Sequence, residues 1–317
     1  MLAIKRNFYK YGNKGRPLMD GGIVEVHKGI YASLRLSHNM RFGGQGLALN
    51  IDVANTCFWV GQRSMDEMMV QFLGTLDRRW RGLTPLSVAQ LLRPVQGPNG
   101  VWQSSDAFKQ LRKLRKLRFT VRHLNRKNPE KLFTVMDFTF SENFGAEGAN
   151  AKNVTFEYEG RTLSVADYYR LKYKVHLRYS HLPLIETGKA GRIPMELAFV
   201  EPMQRYPLKL NPDQTASMIK ISVTRPTQRK ADIMKNVGDL QLDSDPYLKH
   251  YGIQFDTSFA KTEARILPPP PVHFGRGTAD PKFSGRWDLR GKKFFKQNVA
   301  PLESWAFIVM NDCRRVG

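Results

Sequence analysis

A chain of 317 residues has room for about two domains, and its 41% content of hydrophobic residues excludes wholesale disorder. The 50 Lys and Arg residues outnumber the 28 Asp and Glu residues, which leaves a formal net charge of +22 at pH 7. This excess disfavours cationic partners and favours polyanions. Nucleic acid is the first interpretation, with acidic membranes and acidic proteins as alternatives.

Only two cysteines occur, Cys57 and Cys313, and they form no pair motif. This excludes a zinc site built from cysteines and indicates a reducing compartment. The N-terminus lacks the apolar run of a signal peptide, and no apolar stretch reaches membrane length. We therefore expect a soluble intracellular protein of the cytoplasm, with the nucleus as an open alternative.

The first third of the chain predicts strands followed by helices. Residues 46–60, "GLALNIDVANTCFWV", are rich in β-branched and aromatic residues and predict one or two buried strands. Apolar residues at helical spacing predict a short helix over 64–74, capped by Ser64, and another over 84–95.

Basic residues are concentrated in "KQLRKLRKLRFTV", where six Lys and Arg lie between Lys109 and Arg118. Leu111, Leu114 and Leu117 recur at regular spacing, which predicts a helix that leads into a strand. The basic side chains then form a solvated face, a ridge that faces phosphates, or a nuclear-import patch. The sequence leaves these alternatives open.

The middle of the chain alternates as strands do. "RFTVRHL", "KLFTVMDFTF" and "NVTFEYEG" predict strands between residues 118 and 160. The aromatic and basic stretch "DYYRLKYKVHLRYSHLP", residues 167–183, predicts the end of a short helix capped by Ser164 and then the strand "YKVHLRYS". Short strands around one helix predict an α+β fold with a small OB-like barrel, an architecture that commonly holds single-stranded nucleic acid.

A second unit follows this predicted barrel. Asn211 and Pro212 predict the start of a helix, and a second helix is expected after Pro226. Short strands and extended chain are expected over 246–274, including the stiff segment Pro268–Pro271. The final "ESWAFIVM" predicts a hydrophobic strand, and because a domain rarely ends directly after such a strand we expect a longer parent chain.

Three blocks in this order resemble the Argonaute family, and its filamentous-fungal members in particular. "KGIYASLRLS…GQGLALNIDVANTCFWV" is similar to the first Argonaute linker. "VADYYRLKYKVHLRYSHLPLIETG…RIPMELAFV" is similar to the second half of a PAZ domain. "QRYPLKLNPDQTASMIKISV…DPYLKHYGIQF…ARILPPPPVHFG" is similar to the second linker.

The resemblance implies an OB-like β-barrel PAZ domain with an αβ appendage, flanked by mixed α/β linker segments. The implied segments are 1–20 as a remnant of the N-terminal domain, 21–65 as linker 1, 66–200 as the PAZ domain, 201–275 as linker 2, and 276–317 as a connection towards a MID domain.

The function implied by the resemblance is RNA binding in gene silencing. The PAZ cleft of the family holds the 3′ end of a small guide RNA, so the expected partners are single-stranded guide RNA, a duplex with a 3′ overhang, and other silencing proteins. We expect no membrane partner, no small-molecule substrate, no cofactor and no metal.

Seven residues match the cleft positions of the family: His123, Lys131, Phe133, Phe156, Tyr168, Lys172 and Tyr173. Phe156 matches the ring that stacks on the terminal nucleotide, and the others match positions around the phosphates. These residue types suit such roles, because rings stack on any base and Tyr and Lys donate to phosphate oxygens. The family has Tyr where this chain has Phe133, so we expect phosphate binding to be weaker by about 1 kcal/mol.

Neighbouring aromatic and His residues are expected to have structural roles. Tyr169 is expected to point away from Tyr168 into a core. Tyr179, His181 and Pro183 are expected to lock the turn after the barrel rather than contact RNA.

No set of residues in the sequence resembles a catalytic site. Cleavage in the Argonaute family belongs to its PIWI domain, whose acidic residues bind two metal ions, and we expect that domain to lie beyond residue 317. We therefore predict that this chain is not an enzyme. The alternative function is a structural or interaction fragment of an Argonaute, or a general binder of polyanions.

Overall fold

The structure is a computed structural model that describes residues 15–19, 22–36, 47–121, 131–188, 191–261, 263–296 and 300–308. It also describes the backbone of strand residues 2–4, 8–10, 37–39 and 44–46. The contacts divide the chain into a first unit, Met1–Thr257, and a second unit, Ser258–Gly317.

Strands and helices alternate along the described residues, and all of them except β16 and β17 lie in the first unit. The strands are β1 (Leu2–Ile4), β2 (Phe8–Lys10), β3 (Arg16–Pro17), β4 (Val24–Asn39), β5 (Gly44–Trp59), β6 (Val95–Gln96), β7 (Trp102–Gln103), β8 (Arg118–Val121), β9 (Phe133–Thr134), β10 (Asp137–Phe138), β11 (Thr155–Tyr158), β12 (Arg161–Ser164), β13 (Ile185–Thr187), β14 (Gly191–Ile193), β15 (Ala198–Val200), β16 (Val272–His273) and β17 (Thr278–Ala279). The helices are α1 (Met65–Leu76), α2 (Pro85–Leu91), α3 (Asp106–Leu111), α4 (Val165–Tyr173), α5 (Pro212–Ser222), α6 (Pro226–Leu240) and α7 (Pro246–His250).

A long antiparallel hairpin dominates the N-terminal region. β4 and β5 pair along their whole length, from Val24 opposite Trp59 to Asn39 opposite Gly44, while β2 and β3 pair with the other edge of β4. The strand prediction for 46–60 is confirmed, as a single strand. Burial changes along the hairpin: Ile30 is fully buried, whereas Leu36 at the far end is 78% exposed.

Helix α1 lies at the centre of the main core. Met65, Met68, Met69, Phe72 and Leu73 are all fully buried, because this spacing puts these five side chains on one face of a helix. Ser64 occupies the predicted cap position, but its side chain makes no capping hydrogen bond. Helix α2 confirms the second helix predicted in this region.

The basic segment is a short helix that turns into a strand, as predicted. Leu111, Leu114 and Leu117 are buried in the main core, so the basic side chains between them are turned outward. Arg112 and Arg115 both pair with Asp137, at 3.3 and 3.4 Å.

Small sheets follow in place of the long strands that the sequence predicted. β8 pairs with β9 and β15, β13 pairs with β10 and β14, and β11 pairs with β12. In the part of the chain that the structure describes, these sheets do not join into a closed barrel.

The predicted strand "YKVHLRYS" is wrong. Helix α4 ends at Tyr173, and the next residue, Lys174, has a left-handed φ of 56°. The chain then makes turns with no strand over 174–184. The backbone N–H groups of Arg178 and Tyr179 donate to the Glu196 carboxylate, both at 3.0 Å. A side chain therefore satisfies N–H groups that a neighbouring strand would otherwise have to satisfy.

The helices of the second half begin at strong caps. The Asn211 side chain accepts from the Gln214 backbone, and the Gln214 side chain accepts from the Asn211 backbone, which completes a capping box at the predicted start of α5. Helix α6 follows Pro226, as predicted. The strand expected from 246 onward is wrong at its start, because Pro246 and the Asp245 cap begin the helix α7.

The second unit contains the β16–β17 hairpin and extended chain around it. The Trp287 indole N–H donates to the Pro270 carbonyl at 3.0 Å, which holds the polyproline segment against a loop of the same unit. The predicted C-terminal strand is absent over 300–308, because no neighbouring strand pairs with this described stretch. None of the helices in the described ranges is both long and apolar enough to cross a membrane.

Candidate nucleic-acid interface

Helix α4 is the element that positions the candidate site. The Ser164 hydroxyl accepts from the Asp167 backbone N–H at 3.1 Å and so fixes where the helix begins, as the sequence predicts. Tyr168 and Lys172 lie one turn apart on this helix, which puts their side chains on one face.

Tyr168 is the centre of an aromatic cluster. Its ring meets those of Phe156 and Tyr158 edge-on, with centroids 5.0 Å away in both cases, and that of Tyr173 at 5.7 Å. Tyr168 and Tyr173 are five positions apart, a separation that does not align two side chains on one helix face. Tyr173 is the last residue of α4, and the two bulky rings still meet across that last turn.

Lys172 brings a positive charge into this cluster. Its ammonium donates to the Tyr168 hydroxyl at 2.9 Å and lies 5.1 Å from the ring centroids of both Tyr158 and Tyr168. The hydrogen bond to Tyr168 raises the pKa of Lys172, so the side chain remains charged at neutral pH. A cation held over aromatic faces is attracted by their quadrupoles.

The two other tyrosines of α4 differ in burial. Tyr169 is 5% exposed and packs with Val165 and Leu184 in a small core, as the sequence predicts, and its burial raises the pKa of its hydroxyl. Tyr173 lies at the rim of this core, and burial together with a hydrogen bond to Tyr168 raises its pKa to about 12. Both hydroxyls therefore keep their protons at neutral pH.

The cluster forms one wall of an open cleft of about 500 Å³. Phe156, Tyr168 and Tyr173 line one side, and residues of the β13–β14 hairpin, Glu186 and Arg192 among them, line the other. An open cleft lined by rings and hydroxyls, with the Lys172 ammonium held against two of the same rings, is suited to a flat group attached to an anion.

The remaining candidate residues lie elsewhere or outside the described part. Phe133 is 7% exposed, and its ring stacks on Phe119 in the main core with centroids 5.8 Å apart. The Lys131 ammonium lies 5.4 Å from the centroid of the Phe133 ring. Neither residue lines the cleft as it is described, and His123 is outside the described residues.

The sequence did not predict Tyr158 in the aromatic cluster, or Glu186 and Arg192 in the lining of the cleft. Tyr158 could have been found, because alternation in "NVTFEYEG" puts it on the same face of β11 as Phe156. Glu186 and Arg192 gave no local signal, since they reach the cleft from a separate sheet.

Three parts of the sequence match known domain families. Residues 3–60 match the Argonaute linker 1 domain, residues 92–219 the PAZ domain, and residues 228–274 the Argonaute linker 2 domain. The chain is 30% identical over 303 residues to Protein argonaute of Schizosaccharomyces pombe, a match that covers 93% of this chain and 32% of that protein.

The chain belongs to the Argonaute family. It carries both Argonaute linkers with the PAZ domain between them. It is also 27% identical over 312 residues to Protein argonaute 1A of Oryza sativa, a match that covers 96% of this chain and 25% of that protein. The chain thus spans about a third or less of the length of these relatives.

A solved Argonaute structure supports the fold. The crystal structure of Kluyveromyces polysporus Argonaute with a guide RNA matches with a TM-score of 0.53 and 19% identity, over 94% of this chain and 32% of that chain. All the elements that form the cleft, from β11 to β14, lie inside the PAZ match.

Among the described residues, no group of three or more His, Cys, Asp or Glu could hold a metal ion.

Proposed function

We propose that this Argonaute chain binds the 3′ end of a small guide RNA in the cleft beside helix α4 and acts without catalysis of its own in RNA silencing. The observation that carries the proposal is the cluster around Tyr168. Phe156, Tyr168 and Tyr173 line a cleft open to solvent, and the Tyr158 ring and the Lys172 ammonium pack against Tyr168. Cations bind phosphates, and exposed rings stack on bases of any sequence.

The roles of the residues follow from their positions. Phe156 is 5.0 Å from Tyr168 and offers its ring to the terminal base, while Tyr168, Lys172 and Tyr173 donate to the last phosphates. Lys131 and His123 are proposed as further phosphate contacts. Because the ring of Phe133 is buried, we propose that it supports Lys131 instead of contacting RNA.

The domain architecture is proposed on the same basis. Residues 66–200 form the PAZ domain, with an OB-like barrel and an appendage made of the β11–β12 hairpin and α4. Residues 1–20 belong to the N-terminal domain, 21–65 are linker 1, 201–275 are linker 2, and 276–317 lead towards a MID domain. The matched ranges for linker 1, PAZ and linker 2 support this order.

The test compares RNA duplexes that differ only at their ends. Fluorescence anisotropy at near-physiological salt would measure binding of a duplex with a two-nucleotide 3′ overhang and of a blunt duplex. We expect the overhang to bind more tightly, and the double variant Tyr168→Phe/Tyr173→Phe to lose about tenfold in affinity, since two hydroxyls that donate to phosphate are removed.

The matched control removes two hydroxyls outside the cleft. Tyr247 and Tyr251 are 75% and 72% exposed near α7, so Tyr247→Phe/Tyr251→Phe should bind both duplexes as the unmodified chain does. Equal binding of both duplexes that fades with salt would instead favour the alternative, a general binder of polyanions.

A further inference from the structure

The outer half of the β4–β5 hairpin is a two-stranded arm, which we define as residues 32–39 and 44–51. Strand β2 pairs with β4 only as far as Tyr31, β3 pairs with it at Glu25 and Val26, and β5 pairs with no described strand except β4. No third strand in the described part of the chain therefore supports the arm. Because an isolated two-stranded hairpin is only marginally stable in water, a partner that packs on the arm would stabilise it.

Over its described side chains, one face of the arm is apolar. Side chains alternate between the two faces of a strand, so every second cross-strand pair shares a face. The pairs on the apolar face are Ala32–Ile51, Leu34–Leu49 and Leu36–Leu47, and those on the opposite face are Ser33–Asn50 and Arg35–Ala48. Leu34 is 54% exposed, Leu36 78% and Leu47 73%. Neighbouring leucines form a contiguous apolar patch, and such a patch in contact with water indicates an interaction surface.

Nearer the core, helices cover the same face of the hairpin. Lys28, Val53 and Asn55 belong to this face, because they lie an even number of positions from the exposed leucines on their strands. They line a cleft of about 250 Å³ together with Ile221 of α5 and Arg229 of α6. The apolar patch of the arm therefore continues a face on which two helices already lie.

Charge decides which occupant the uncovered part of this face favours. The chain has a formal net charge of +22, so two copies of it repel each other. Close to the patch, Lys28 and Arg35 are exposed and positive, while the carboxylate of Asp52 is already paired with Arg229. Positive side chains at the borders of an apolar patch favour a partner that has carboxylates beside its own apolar stripe.

We propose that the apolar face of the arm is a docking surface for an amphipathic helix of a partner protein, with an apolar stripe that packs on the leucines and acidic residues along its borders. The lengths agree: eight residue pairs of the arm span roughly 26 Å, and a helix of about 18 residues spans about 27 Å. The arm lies in the region that matches linker 1, outside the PAZ match, so this docking is independent of RNA binding in the cleft.

The experiment uses a fluorescein-labelled peptide of about 18 residues, with leucines at helical spacing and glutamates on the opposite face. One comparison peptide has the same residues in an order without the stripe, and a second has lysine in place of glutamate. We expect the chain to bind the striped acidic peptide with a dissociation constant on the order of micromolar, about tenfold more tightly than either comparison peptide. The reordered peptide has the same charge, so it accounts for general attraction to a basic protein. Fluorescence anisotropy measures all three.

Two double variants separate the arm from other exposed leucines. Leu36→Ser/Leu47→Ser removes two apolar side chains from the patch and should weaken binding of the striped acidic peptide about tenfold. The matched control is Leu267→Ser/Leu289→Ser in the second unit, where the leucines are 66% and 59% exposed, and it should bind as the unmodified chain does. Because all four leucines are exposed, both variants should keep the melting temperature of the unmodified chain and its affinity for overhang RNA.

The outcomes distinguish a partner helix from other occupants. Slower hydrogen exchange over 32–36 and 47–51 in the presence of the striped acidic peptide supports the proposal. Equal binding of the striped and reordered acidic peptides, or unchanged binding in Leu36→Ser/Leu47→Ser, overturns it. A dimer in sedimentation velocity that this variant abolishes would make a second copy the occupant. Cosedimentation with anionic phospholipid vesicles that the same variant abolishes would assign the face to a membrane, and either result also overturns the proposal.

Discussion

Lys172 shows how a single residue links the folded cleft to its proposed ligand. Without RNA its ammonium is held by the Tyr168 hydroxyl and by the faces of three tyrosine rings. These are weak, solvent-exposed contacts that a phosphate can replace at little cost. The cluster therefore keeps the cation in place and available for binding.

Replacing Lys172 with Met tests this role. Lys172→Met keeps most of the side-chain length and removes the charge, so we expect affinity for overhang RNA to fall about tenfold. The slope of log affinity against log salt concentration should also decrease by about 0.7 to 0.9, which is the value for one phosphate contact. The measurement is a salt titration followed by anisotropy.

The control for charge is Lys113→Met, on the exposed side of the basic segment after α3. An equal loss of affinity and slope in this variant would mean that the cleft contributes no more than any surface lysine. A smaller change than in Lys172→Met supports a specific contact.

For Phe133 the family resemblance and the structure predict different effects of the same substitution. The family resemblance predicts that Phe133→Tyr tightens RNA binding by about 1 kcal/mol through one added hydrogen bond. The structure instead puts this ring in the main core, 7% exposed, where an added hydroxyl needs a partner or space. We expect no tighter binding and a loss of about 1–2 kcal/mol in the free energy of unfolding, measured by urea denaturation.

At the scale of elements, the start of helix α4 determines where the cluster forms. Ser164 is both the last residue of β12 and the N-cap of α4, so the hairpin leads directly into the helix. The ring of Phe156 on the hairpin therefore lies beside the rings of Tyr168 and Tyr173 on the helix. The left-handed residue Lys174 then ends the helix before the chain can continue it.

Two serines at cap positions allow a matched measurement. Ser164 makes a capping hydrogen bond and Ser64 does not. We expect Ser164→Ala to lower the free energy of unfolding by about 1 kcal/mol and Ser64→Ala to change it by much less. Urea denaturation of both variants is the measurement, and an equal cost would show that the Ser164 hydrogen bond does not stabilise α4.

At the scale of the whole molecule, a salt bridge joins distant parts of the first unit. Arg229 of α6 donates from Nε to Asp52 of β5 at 2.9 Å, and a second guanidinium nitrogen contacts the other carboxylate oxygen. The contact connects the regions that match linker 1 and linker 2. Both side chains are about half exposed, so the pair contributes little despite its bidentate geometry.

The strength of this pair should depend on pH in a defined direction. The hydrogen bond to Arg229 lowers the pKa of Asp52 below its ordinary value of 3.8. Its contribution to stability is therefore present above pH 3.8 and is lost as the pH falls through the lower pKa of the folded state.

A double-mutant cycle with Asp52→Asn and Arg229→Gln measures this coupling. We expect less than about 1 kcal/mol at pH 7, and a smaller value at high salt. A coupling that rises as the pH falls from 4 to 3 would contradict the assignment.

Local sequence signals predicted some parts of the fold and missed others. The helix starts at Ser164 and Asn211 follow from caps, and the buried leucines of the basic segment follow from spacing, since both depend on residues a few positions apart. The segment after α4 has the alternation of a strand, but two of its backbone N–H groups donate to the Glu196 carboxylate. Because Glu196 lies 17 residues or more away in the chain, the local sequence does not indicate this hydrogen-bond partner.

The sequence by itself determined the family, the order of its linkers and PAZ domain, the strong positive charge and most residues of the aromatic cluster. These depend on residue types and their order along the chain. Only the tertiary structure decided that Phe133 is buried, and that Glu186 and Arg192 form the opposite wall of the cleft. The physical reason is that burial and cross-strand pairing depend on which elements pack together, and separate sheets meet here across many residues of sequence.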